Sequence, residues 1–112
     1  IILFQGEELG LTQVDVPFHK LQDPEAIANW PQTLSRDGVR TPMPWQCDAP
    51  GHGFTVGEPW LPFGPDHKAL AVDCQRTDPH SQLSFTRDIL AVRNRTPALR
   101  WGSLEVIEAG PQ

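Results

Sequence analysis

Cysteine is scarce in this chain: Cys47 and Cys74 are the only two. Two cysteines cannot build a disulfide framework, and their spacing is not that of a zinc site. Buried free thiols are the expectation. No stretch approaches the roughly 20 apolar residues that a membrane span requires. Basic residues are outnumbered, 9 against 14 acidic ones, for a net charge of −5. This argues against nucleic acid and an anionic membrane as partners, because both draw on a basic surface. His19, His52, His67 and His80 lack metal-ligand spacing and are expected on loops or at the surface. No metal and no cofactor is therefore expected. Internal repeats and low-complexity tracts are missing. No secretory leader is visible, and the apolar opening Ile1-Ile2-Leu3-Phe4 reads like the middle of a protein. The compartment stays open, with the cytoplasm favoured over the periplasm.

What the chain does have is proline. Its 112 residues are enough for one small domain, and 12 of them are Pro, where an average chain carries roughly 5%. Proline fixes φ and removes a donor, which forbids long helices and central strands through the middle. Otherwise 38% hydrophobic and 21% charged residues describe an ordinary globular composition.

Ile1 to Phe4 is an apolar run without alternation, as in a strand buried on both faces of a parallel sheet. On such a strand the adjacent Glu7 and Glu8 would point to opposite faces. Asp23 to Trp30 reads as a short helix: Asp23 caps it, Pro24 suits its first turn and Pro31 stops it. From Pro31 to His67 there is no sustained period. A loop of this length inside a domain is functional or disordered. Trp45, Phe54, Trp60, Leu61 and Phe63 favour a loop packed by its own side chains. A main helix follows Asp78-Pro79-His80-Ser81. Phe85, Ile89 and Val92 make one apolar stripe on it, with Leu83 and Leu90 in the adjacent row. Thr96-Pro97 ends it, and Leu104-Glu105-Val106 starts an alternating strand. One strand with one crossover helix cannot bury its own faces, so the fold is expected to need further sequence.

Three blocks resemble a known family. Phe4-Gln5-Gly6-Glu7-Glu8-Leu9-Gly10 resembles the end of barrel strand eight in glycoside hydrolase family 13, the α-amylase superfamily. Ser35-Arg36-Asp37-Gly38-Val39-Arg40-Thr41-Pro42-Met43-Pro44-Trp45 resembles the long loop that follows it in oligo-1,6-glucosidases and related α-glucosidases. Gly53-Phe54-Thr55 and Pro59-Trp60-Leu61-Pro62 continue that loop. Arg87 to Arg93, with Pro97-Ala98-Leu99, resembles helix eight and its exit. Val14 to Phe18 with Gln22-Asp23-Pro24 resembles bacterial α-glucosidases that also transfer glucosyl groups.

The resemblance implies an α/β fold, a fragment of a (β/α)8 TIM barrel. Residues 1–100 would be its C-terminal end and residues 101–112 the start of a C-terminal all-β domain. It implies a retaining α-glucosidase that removes terminal glucose from an oligosaccharide or disaccharide. That mechanism needs two carboxyl groups roughly 5–5.5 Å apart, and in the family they come from strands that precede this segment. No catalytic residue is therefore expected here. Arg36 matches an arginine that helps hold the nonreducing-end glucose, usually beside an upstream aspartate. Asp37 could orient Arg36, and Arg40 could do either task; all three could also only tie the loop down. Trp30, Trp45 and Trp60 could stack on sugars, but filling the loop's interior is the expectation. A transglucosylase, sucrose isomerase or trehalose-forming enzyme fits the same motifs. So does a non-catalytic relative like the heavy chains of amino-acid transporters. A free-standing binding module is the remaining reading.

The 112-residue chain on its own should hydrolyse no glucoside. Turnover of p-nitrophenyl α-glucoside by the rigorously purified chain would overturn this.

Overall fold

The computed structural model describes residues 2–107. Its elements are four α-helices joined by long irregular segments and 3-10 turns: α1 (Pro24–Ala28), α2 (Val72–Arg76), α3 (Gln82–Arg95) and α4 (Pro97–Trp101). There is no strand among the described residues, and no helix is long and apolar enough to cross a membrane.

The expected opening strand is therefore absent. Ile2, Leu3 and Phe4 are 96%, 46% and 51% exposed, and Ile1 lies outside the described residues. A strand exists through hydrogen bonds to a neighbouring strand, whereas among the described residues Phe4 bonds only locally, its carbonyl accepting from Glu7 N and its amide donating to Glu7 Oε2, both at 3.0 Å. Glu7 and Glu8 do not continue it either. They sit in a 3-10 turn, Glu7–Leu9, between Gly6 (φ 100°) and Gly10 (φ 75°). Both glycines hold left-handed backbone, which a side chain would strain. The amides of Leu9 and Leu11 both donate to Gly6 O, at 3.1 and 3.0 Å, which coils the turn tightly.

α1 starts where its residues foretell but ends at Ala28, short of the expected Trp30. The Asp23 side chain accepts from Glu25 N, Pro24 occupies the first turn and Asn29 closes the helix. α3 also starts where expected, with the Ser81 side chain accepting from Ser84 N. It stops at Thr96, and Pro97 then opens the unanticipated α4, which runs to Trp101. Pro at a first helical position needs no donor, so the residue that ends one helix starts the next. Residues 104–106, expected as strand, form no ladder among the described residues and are exposed. Residues 108–112 of the expected β domain lie outside them.

Packing is divided between two small apolar clusters. Val16, Leu21, Ala26 and Leu61 form one. Leu9, Met43 and Val72 form the other, with Leu11 and Leu83 against it. The loop between Pro31 and His67, expected to pack on its own side chains, instead buries Leu61 with Val16, Leu21 and Ala26 and Met43 with Leu9 and Val72, partners that all lie outside the loop. The tryptophans do not fill it. Trp30, Trp45 and Trp60 are 47%, 48% and 56% exposed, because the smaller aliphatic side chains take the interior. The α3 stripe is present and uncovered: Phe85, Ile89 and Val92 are 59%, 46% and 36% exposed.

α2 has no counterpart in the sequence reading, and it joins the pieces. Buried Gln75 donates from Nε2 to Leu9 O (2.9 Å) and Leu70 O (2.8 Å). Its Oε1 accepts from Leu83 N at 3.0 Å. One amide side chain thereby links the opening turn, the residues just ahead of α2 and the first turn of α3. Gln75→Leu keeps the volume but strands these groups, and each buried polar group left unpaired costs about 1–3 kcal/mol. The variant should melt well below the parent protein; an unchanged melting temperature would show that Gln75 is not the link.

Candidate functional site

Arg36, Asp37 and Arg40 lie on one short segment built around the 3-10 turn Asp37–Val39. Ser35 precedes it with φ 49°, and its hydroxyl accepts from Asp37 N at 3.1 Å. Gly38 is required by a close approach: a Cβ there would lie 2.3 Å from Val14 O, while Gly38 O accepts from Val14 N at 2.9 Å.

The segment is clasped to residues 22–23 by two aspartates that act reciprocally. Asp37, 1% exposed, uses Oδ2 to accept from Gln22 N (2.6 Å) and Asp23 N (2.8 Å). Asp23, 2% exposed, reaches the other way. It accepts from Arg36 N at 3.1 Å, Arg36 Nε at 2.8 Å, Arg36 Nη2 at 2.6 Å and Glu25 N at 3.2 Å. The hydrogen bond from the Arg36 guanidinium holds the Asp23 carboxyl well below the usual carboxylate range. Burial opposes this, and the amides of Arg36 and Glu25 add to it. The same pair raises Arg36 above its ordinary value.

Arg36 is thus oriented by Asp23 rather than by Asp37. The fork arrangement uses two of its five N–H donors, and its side chain stays 61% exposed. Three donors therefore face outward with no partner among the described residues. Asp37 Oδ1 is buried and without a hydrogen-bond partner. Arg40 is exposed and beside a shallow hollow of about 190 Å³ with Phe4, Gln5, Val39 and Thr41.

A second feature escaped the sequence reading. His67 is buried, not on the surface. Its Nδ1 accepts from Gly64 N at 3.0 Å, and its Nε2 is 3.0 Å from Thr41 Oγ1. Acceptance at Nδ1 leaves the proton of the neutral ring on Nε2, donating to Thr41. Burial, then the charge of His52, pushes its pKa down; Asp66 counters. His67 is among the residues lining a groove of about 350 Å³ between residues 11–17 and 62–67. No motif spacing marks it; only the Gly64-Pro65 turn ahead of it hints that the segment doubles back.

One cluster among the described residues offers metal-type donors: Cys47, Asp73 and Cys74, whose ligand atoms lie within 4.8 Å of one another. The expectation of two buried thiols fails in part. Cys47 is half-buried and Cys74 exposed, because α2 turns the face that carries Cys74 away from both apolar clusters.

Residues 1–102 match the alpha-amylase family, in its catalytic domain. The chain belongs to that family. It is 43% identical, over 96% of its length, to a probable alpha-glucosidase of Rhizobium meliloti (strain 1021). It is 28% identical, over 94%, to an oligo-1,6-glucosidase of Parageobacillus thermoglucosidasius. Among solved structures it is similar to the alpha-glucosyl transfer enzyme XgtA, with TM-score 0.86, 52% identity and 96% of this chain covered. It is also similar to the trehalulose synthase MutB of Pseudomonas mesoacidophila MX-45, with TM-score 0.78, 32% identity and 88% covered. The chain spans only 19% and 22% of the two curated relatives and 20% and 21% of the two solved chains.

The depressed Asp23 carboxyl fixes the sign of a pH effect. A carboxyl whose folded pKa lies below its unfolded value adds stability above the unfolded pKa, near 4. That contribution is lost as pH falls below it toward the folded value. Asp23→Asn should therefore lower the melting temperature markedly at pH 7, with the gap to the parent protein narrowing below about pH 4. A gap of equal size at pH 7 and pH 3 would overturn the assignment.

Proposed function

We propose that this chain is the closing portion of the (β/α)8 barrel of a retaining α-glucosidase, and that its long loop holds the terminal glucose of a short α-linked oligosaccharide or disaccharide. The observation that carries the reading is the Arg36 guanidinium. It is fixed edge-on by a buried carboxylate and presents its unused donors outward. A planar fork of this kind suits vicinal hydroxyls, and a partner that locks it spares the ordering cost at binding.

In this reading residues 1–100 end the barrel. Ile1–Phe4 completes strand eight when neighbouring strands supply its edges, and α3 is helix eight with its open stripe against the barrel. Residues 101–112 begin the C-terminal β domain. The loop after strand eight then lies on the face where such barrels carry their sites. Arg36 touches the sugar. Asp37 is a positioning residue, since its carboxylate is buried and turned to the amides of residues 22 and 23. Arg40, exposed beside Gln5, is a second donor to substrate. The nucleophile and the acid/base come from elsewhere in the barrel, and this chain supplies binding.

The alternative outcome of the same chemistry is transfer, in which a sugar hydroxyl replaces water as the attacking group. The similarity to an alpha-glucosyl transfer enzyme at 52% identity favours keeping it in view. Product analysis after reaction with maltose or sucrose separates the two: only the free constituent monosaccharides support hydrolysis, and new glucosides support transfer.

In the complete enzyme, Arg36→Ala should raise KM and lower kcat together, because the contact serves both bound sugar and transition state. Losing a charge-assisted hydrogen bond costs about 1.5–3 kcal/mol, so kcat/KM should fall about 10- to 100-fold. Wild-type kinetics in the variant would remove Arg36 from the site.

A further inference from the structure

We propose that Cys47 and Cys74 are a dithiol switch, closing to a disulfide with a small-molecule disulfide such as oxidised glutathione and stapling the long loop to α2. The two sulfurs lie within 4.8 Å of each other. They are held there by the backbone. Val72 N donates to Pro44 O at 3.0 Å and Asp73 N to Trp45 O at 3.2 Å, which lays residues 44–47 beside the start of α2. A single carboxylate oxygen, Asp73 Oδ1, then accepts from Cys47 N (2.9 Å) and Cys74 N (2.8 Å). Next to them Lys68 Nζ meets Asp48 Oδ1 at 2.9 Å. An S–S bond is about 2.05 Å long. Closing the gap takes less than about 3 Å of sulfur movement.

The two thiols are not equivalent. Cys74 is exposed and meets an oxidant first, while Cys47 is half-buried. Cys47 Sγ donates to Asp48 Oδ2 at 3.6 Å. The Cys47 thiol is pushed up to about 12, first by its hydrogen bond to Cys74, then by burial and by the charges of Asp48, Asp73 and Cys74. The largest of these causes disappears once Cys74 is derivatised.

The steps balance. The Cys74 thiolate attacks one sulfur of oxidised glutathione, forming a mixed disulfide and expelling one glutathione thiolate. The Cys47 thiolate then attacks the Cys74 sulfur and expels the second glutathione. Two protein thiols are oxidised, one small disulfide is reduced to two thiols, and the two protons pass from cysteine to glutathione. The bond spans residues 47–74, so it restrains Phe54, Leu61 and His67 together. Metal binding is the weaker use of the cluster. Asp73 Oδ1 is already occupied by the amides of Cys47 and Cys74.

The test treats the folded, full-length protein with oxidised glutathione, blocks remaining thiols and digests with trypsin. Cleavage after Arg40, Lys68 and Arg76 places the two cysteines on separate peptides, 41–68 and 69–76. The expected product is the two peptides joined, two hydrogens lighter than their sum. It should be reversed by dithiothreitol and accompanied by a melting temperature higher by at least about 2 °C. Cys47→Ser should stop at a stable glutathione adduct on Cys74, and Cys74→Ser should react far more slowly. Glutathione retained on Cys74 of the parent protein would overturn the proposal. So would both thiols staying free under oxidant, or zinc co-purifying at one equivalent and shielding both from alkylation.

Discussion

The exchange between Asp23 and Asp37 is the constraint on which the rest of the loop depends. Each carboxylate is buried and satisfies the backbone of the other's segment. Irregular backbone has no ladder of its own, and its amides need partners wherever water is excluded. Here two side chains supply them. Asp23 caps α1, receives the Arg36 amide and takes the guanidinium, so helix, turn and cation are fixed by one group. A buried carboxylate without its cation would be costly; the arrangement therefore holds Arg36 as firmly as Arg36 holds it.

That mutual dependence explains how a proline-rich segment with little regular structure presents a cation in a defined direction. Prolines limit the backbone's freedom before folding, and Gly38 admits Val14 to a distance no side chain would allow. The guanidinium is then aimed by polar contacts underneath and left open above. In the proposed role this is economical: the loop is already ordered before sugar arrives.

Elsewhere polar links also join segments far apart along the chain. The two apolar clusters are small. Gln75 joins the opening turn, α2 and α3 by hydrogen bonds beside the apolar cluster of Leu9, Val72 and Leu83, and His67 ties residue 64 to residue 41. The cysteine pair sits at the junction of loop and α2, where Asp73 already couples the two backbones. A covalent bond there would reinforce an existing seam. Meanwhile Phe85, Ile89 and Val92 stay uncovered, as do the outer faces of the tryptophans. These surfaces suit burial against further structure, which accords with a chain that spans about a fifth of its relatives.

Local chemistry was legible in the sequence. Asp23 and Ser81 as caps, Pro24 at a first turn, the α3 stripe and the family motif around Arg36 all depend on neighbours within a few residues, and the structure has the caps, turn and stripe in place. What the sequence left open depended on partners far along the chain. Ile2–Phe4 is apolar enough for a strand, but only hydrogen bonds to an adjacent strand would make it one. The burial of His67, the role of Gln75, and the pairing of Arg36 with Asp23 instead of Asp37 come from segments 8 to 66 residues apart. So does the meeting of Cys47 with Cys74. Such contacts follow from how the loop closes on itself, and no short-range period encodes that closure.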